Sequence, residues 1–192
     1  MLSDALQFLV RTLFDLMACA FFMRFWMQWA RVPFQNPLAQ FIVKVTNFAV
    51  LPFRRVLPGW FGVDWASIAL LYLTALASTL AVLALSGFPF GVAAESVWPG
   101  IALMALAAVL RLAIYVVMGF ILLQAVISWV NPFSPFAPVF YALSRPALAP
   151  FQRWIPAIGG VDLSPLAALI VLQLLLIAPV LGLERVAMGM VR

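Results

Sequence analysis

The chain has 192 residues, 67% of them hydrophobic and 9% charged, and its mean hydropathy of +1.15 excludes a soluble globular domain and makes a bilayer the solvent. The net charge of +5 rests on eleven basic residues dispersed over helix ends and short loops, a pattern that follows anionic lipid headgroups and the cytoplasmic excess of Lys and Arg, so no direct nucleic-acid binding is expected. There is no histidine and only one cysteine, Cys19, so an intrachain disulfide is excluded, and the usual metal ligand, haem ligand and triad base are missing; neither a cofactor, a metal nor an enzymatic reaction is expected.

Met1 to Val10 has no basic n-region and no small-residue cleavage site after its apolar stretch, so the first hydrophobic segment is expected to stay in place. It predicts a membrane span over about residues 8–30. From Arg11 to Trp29 is nineteen residues, about 28 Å of helix, so Arg11 and Trp29 are expected at opposite interfaces. Asp15 follows Arg11 by one helical turn and pairs with it. Arg24, five residues before Trp29, reads as a paired or headgroup-directed cation rather than a transport residue.

Leu38, Phe41, Ile42, Val45, Phe48 and Ala49 fall at helical spacing, with Gln40, Lys44 and Asn47 opposite. This predicts a short amphipathic helix over about 36–50, interfacial or re-entrant because it is too short to cross. Pro52 and Pro58 bracket Arg55 and are expected to break the helix into a rigid corner. Gly62 supplies a turn, and Asp64 stands just before an uncharged stretch, where a carboxylate caps the orphan N–H groups of the next helix. That stretch predicts a second span over about 65–87.

The same order then recurs. Pro52, Phe53, Arg55, Pro58, Gly62, Val63 and Asp64 return as Pro150, Phe151, Arg153, Pro156, Gly160, Val161 and Asp162, all at an offset of 98. Upstream, Arg11 and Trp29 return as Arg111 and Trp129 at an offset of 100. The expected organisation is two tandem units, 1–98 and 99–192, the second with spans over about 101–130 and 163–183 and a weaker amphipathic segment over 135–147 carrying Phe136, Val139, Phe140 and Leu143. The fold class is therefore all-α: a polytopic membrane protein with four transmembrane helices in two parallel repeats, each with an amphipathic helix. Ten of the fourteen prolines lie in 30–64 and 130–162. Six basic residues there, against four at the other ends, place these segments in the cytoplasm and both termini outside.

The candidate functional motif is Arg24, Pro52, Arg55, Pro58 and Asp64 with Pro150, Arg153, Pro156 and Asp162. Asp64 and Asp162 are expected to cap helices and to pair with Arg55 and Arg153 in a charged centre near the pseudo-symmetry axis. With Trp29 and Trp129 closing the preceding helices, these residues resemble the YggT family of small bacterial and plastid membrane proteins, also called YlmG. Its pattern is matched by Arg24, Trp29, Thr46, Pro52, Arg55, Pro58, Asp64 and Ser67, and again by Trp129, Ser144, Pro146, Pro150, Arg153, Pro156, Asp162 and Ser164. Gln124 stands where the second copy would carry an Arg. The resemblance implies a multi-pass protein of the bacterial inner membrane, associated with osmotic-shock tolerance and the neighbourhood of cell-division proteins, and in plastids with nucleoid distribution or cytochrome assembly. It implies no family-wide reaction. The expected function is a non-enzymatic scaffold or assembly factor that contacts anionic headgroups and a membrane or cytoplasmic protein partner; the alternative is a homo-oligomeric channel or transporter for ions or small solutes.

Overall fold

A backbone in hydrocarbon has no water to bond, so apolar segments must satisfy their own N–H and C=O groups as helices. The computed structural model describes residues 2–60, 62–92, 95–155 and 162–191. Its helices are α1 (Leu2–Trp29), α2 (Pro37–Val56), α3 (Trp65–Leu85), α4 (Val97–Val130), α5 (Ala137–Trp154), α6 (Ser164–Leu175) and α7 (Leu181–Val191). A 3-10 turn at Phe90–Val92 precedes α4, and a π segment at Leu176–Val180 joins α6 to α7. No strand occurs among the described residues. Four stretches are long and apolar enough to cross a membrane, namely Ser3–Trp29, Trp65–Leu85, Val97–Val130 and Ser164–Val191. The protein is thus an all-α, multi-pass membrane protein.

The π segment has a local cause. Pro179 has no N–H and crowds the carbonyl of Leu175, and the wider turn accommodates both without ending the span. Elsewhere α1 packs on α3, α3 on α4 and α4 on α7. The interior joins Phe21 and Phe22 of α1, Leu71 of α3, Ile121 of α4, Leu148 of α5 and Ala168 of α6. Small residues bring helices close: a Cβ on Gly100 would stand 2.8 Å from Met190 Cβ and 3.1 Å from the Ala187 carbonyl.

Two expectations change. Arg11 and Arg111 do not mark helix ends, because α1 runs back to Leu2 and α4 to Val97. Ser3 Oγ donates to the Leu85 carbonyl, so the ends of α1 and α3 meet there, and Arg11 lies about 12 Å further in. The prolines, too, fail to break the amphipathic segments. Pro52 lies inside α2, and Pro146 and Pro150 lie inside α5. The carbonyl that Pro52 leaves unbonded belongs to Phe48, on the outward face of α2, where it can find an external partner. Pro58 follows the end of α2, and Pro156 lies outside the described residues.

Candidate functional site

Three helix ends converge on Asp64. Gly62, at φ +76°, turns the chain into α3, and Asp64 becomes its N-cap, accepting from the Ser67 N–H at 3.4 Å. Ser67 Oγ donates to Asp64 Oδ2 at 2.7 Å. Arg54 then meets the carboxylate as a fork, Nη2 to Oδ2 at 2.6 Å and Nε to Oδ1 at 3.3 Å. From α1, Arg24 Nε stands 3.7 Å from the same Oδ2. Asp64 is 1% exposed and Arg24 5%. A carboxylate so enclosed would have its pKa raised by burial, but Arg54 and Ser67 hold it below the usual range.

Arg24 also binds α2. Its Nη1 donates to Thr46 Oγ1 at 2.7 Å and to Asn47 Oδ1 at 2.9 Å, while Thr46 donates onward to the Ile42 carbonyl at 2.6 Å. Gln28, one turn further along α1, donates to the Gly62 carbonyl at 3.2 Å and accepts from Arg54 at 3.5 Å. The result is a clamp: one buried guanidinium holds α1 to α2, and one buried carboxylate holds both to α3. A cavity of about 390 Å³ opens beside it, lined by Arg24, Gln28, Arg54 and three neighbours. With two guanidiniums against one carboxylate, its surplus charge is positive.

The second half makes corresponding contacts with weaker chemistry. Gln124 Oε1 accepts from Ser144 Oγ where Arg24 meets Thr46. Gln152 Nε2 donates to Asp162 Oδ2 at 3.2 Å where Arg54 meets Asp64. Asp162 also accepts from the Ser164 N–H at 2.8 Å. Partial burial alone would raise its pKa, but the Ser164 and Gln152 hydrogen bonds hold it low. It has no cationic partner among the described residues. The two amphipathic helices share one end of the bundle, since Ala39 and Ile42 of α2 join Val139 and Leu143 of α5 in one apolar cluster with Met27 and Phe120. Trp26 Nε1 ties the halves together by donating to the Leu143 carbonyl at 2.8 Å.

Arg24 and Asp64 of the expected motif therefore meet, but Arg55 and Arg153 do not join them. Both are exposed and form no ion pair among the described residues. The reason is helical register. The inward face of α2 runs Ala39, Ile42, Thr46, Val50, and the next turn brings Arg54 inward, not Arg55. Ending the amphipathic helix before Pro52 hid that step. Continuing the spacing through the proline would have found Arg54, and Gln152 in the second half. Phe41 and Phe48, read with Ile42 on one apolar face, point outward while Ile42 is buried, with Lys44 and Leu51 between and after them, so Arg55 extends an outward stripe of aromatic, aliphatic and basic residues. Gly160 and Val161 lie outside the described residues.

The pattern of the CCB3/YggT family matches residues 3–85 and 103–182. The chain is 37% identical over 172 residues to an uncharacterized protein in the proC 3′ region of Vibrio alginolyticus, covering 88% of this chain and 90% of that one. It is 32% identical to the uncharacterized protein YggT of Escherichia coli K12, covering 90% and 87% of the two chains. It is 33% identical to the uncharacterized protein PA0392 of Pseudomonas aeruginosa, covering 91% and 87%. No solved structure matches the chain.

Proposed function

This chain belongs to the CCB3/YggT family, and from that premise we propose that it is a non-enzymatic scaffold or assembly factor of the bacterial inner membrane, serving envelope organisation, cell division or tolerance of osmotic stress. The observation that carries this reading is the Arg24–Asp64–Arg54 clamp. A helix lying at an interface is held there by its apolar face alone unless something fixes its direction. Here charge-assisted bonds to the buried Arg24 and Asp64 fix α2 to two spans, while Phe41, Lys44, Phe48, Leu51 and Arg55 face outward. A rigid, outward-facing surface of that kind suits docking more than turnover. Lys44 and Arg55, with the positive cavity beside Arg24, suit anionic headgroups on the same face.

In this reading the chain is a duplicated unit, α2 and α5 lie on the cytoplasmic side and both termini lie outside. The Arg24 and Gln124 contacts, and the Arg54 and Gln152 contacts, support the duplication. A photo-crosslinking residue at Phe41 or Tyr141 tests the scaffold in native membranes. Discrete protein adducts that weaken in the Arg24→Gln variant support it; adducts to lipid alone reject it. The channel reading draws on one observation, a set of charged side chains within the spans. Liposomes holding only the purified protein separate the two readings: ion or water flux above that of empty vesicles favours the channel.

A further inference from the structure

A second polar feature lies at a distance from the clamp. Arg11 and Asp15 of α1, Ser78 of α3, Arg111 of α4 and Glu184 of α7 line one cavity of about 290 Å³ among these four helices. Each residue belongs to an apolar span. Arg111 and Glu184 are in contact, but Arg11 Nε and Asp15 Oδ2 are 3.8 Å apart, and neither makes a hydrogen bond among the described residues. Ser78 is 8% exposed, yet its hydroxyl too is without a partner there. Its neighbours show what a hydroxyl in this helix ordinarily does: Thr74 donates to the Leu70 carbonyl at 2.6 Å and Thr79 to the Ala75 carbonyl at 2.9 Å. Ser78 makes no such bond among the described residues and lines the cavity.

Arg11 and Asp15 form the expected ion pair one turn apart, but it is long and both side chains are more than half exposed, so each keeps hydrogen-bonding capacity that a polar ligand can take. The charges of the cavity constrain what that is. Two guanidiniums and two carboxylates sum to zero, so a ligand of net charge would leave an uncompensated charge in a poor dielectric. A zwitterion leaves none. An ammonium with N–H donors can bond carboxylates, whereas a quaternary ammonium cannot and is held by aromatic faces, and no aromatic residue lines this cavity among the described residues. The other walls, including Leu71, Val82, Leu83 and Met104, are aliphatic and suit acyl chains.

We propose that this cavity binds a zwitterionic phospholipid with a primary ammonium, of the phosphatidylethanolamine class. Its phosphate is held by Arg11 and Ser78, its ammonium by Asp15 and the outer oxygen of Glu184, and its chains leave along the aliphatic wall. The inference is independent of the scaffold reading. Native mass spectrometry of the full chain, from micelles loaded with equal phosphatidylethanolamine, phosphatidylcholine and phosphatidylglycerol, tests it. The expected result is retention of the ethanolamine lipid over both others by about tenfold. Asp15→Asn abolishes the preference over phosphatidylcholine, and Ser78→Ala, which suits a helix at least as well, lowers retention of both. Unfolding midpoints of both variants, matched to the parent, establish that the fold is intact. Equal retention of the three lipids marks a surface shell and overturns the proposal, as does preference for phosphatidylglycerol, which marks an anion site. Displacement of the lipid by soluble phosphoethanolamine, without acyl chains, overturns the lipid assignment.

Discussion

Asp64 concentrates the energetics of the clamp, because one carboxylate faces two guanidiniums and a hydroxyl in a nearly closed space. Removing a partner from such a set leaves a buried charge without compensation, so Asp64→Asn is expected to destabilise the fold by about 3–5 kcal/mol. Arg54 is partly open to solvent, and its truncation to Ala is expected to cost less, about 1–2 kcal/mol. Arg55→Ala is expected to stay within about 0.5 kcal/mol, since Arg55 touches nothing in the clamp. Thermal unfolding in detergent, followed by dye attachment at Cys19, the single cysteine, ranks the three. The pH dependence has a definite sign. Asp64 titrates below its unfolded value of about 3.9, so its stabilisation is complete above that pH and is lost as pH falls through the folded pKa. The midpoint of the parent should therefore drop below about pH 4, and that of Asp64→Asn should drop less, with a residual slope from Asp162.

At the scale of elements, helix contact depends on small residues as much as on apolar ones. Gly100→Ala places a methyl against Met190 Cβ and the Ala187 carbonyl, neither of which can swing aside, and is expected to separate α7 from α4 at a cost of about 1–3 kcal/mol. The same unfolding assay measures it, and Gly119→Ala, with nothing near the added methyl, serves as the control. The spans themselves were legible in the sequence because apolar runs such as Trp65–Leu85 contain no charge and have only one way to satisfy their backbone. The cap at Asp64 was legible for a related reason: a carboxylate directly before such a run has orphan N–H groups to accept from. The partner of Asp64 was not, because reading Pro52 as a helix end removed the turn that carries Arg54 inward. Nor could the sequence show that Phe41 and Phe48 face away from the bundle. In α2 both sides of the helix are apolar, one against α1 and α3 and the other outward, so periodicity alone does not say which is buried.

Over the whole molecule, large apolar side chains stay exposed along the spans, Leu13 of α1, Leu122 of α4 and Leu174 of α6 among them. In a soluble protein they would drive aggregation; here they are the surface that lipid covers. Leu174→Lys is expected to cost about 2.5–3.5 kcal/mol of insertion, whereas Phe41→Lys, on α2 outside the four apolar spans, is expected to leave insertion of the spans unchanged; glycosylation mapping of span insertion reads both. The bond from Trp26 to the Leu143 carbonyl also carries a consequence in time. A ribosome finishes α1 to α3 long before it reaches α5, so for that interval the indole N–H of Trp26 and the neighbouring side chains of Met27 and Ile42 wait for a surface not yet made. The first half is born with a vacancy shaped for the second, and the late arrival of α5 closes it.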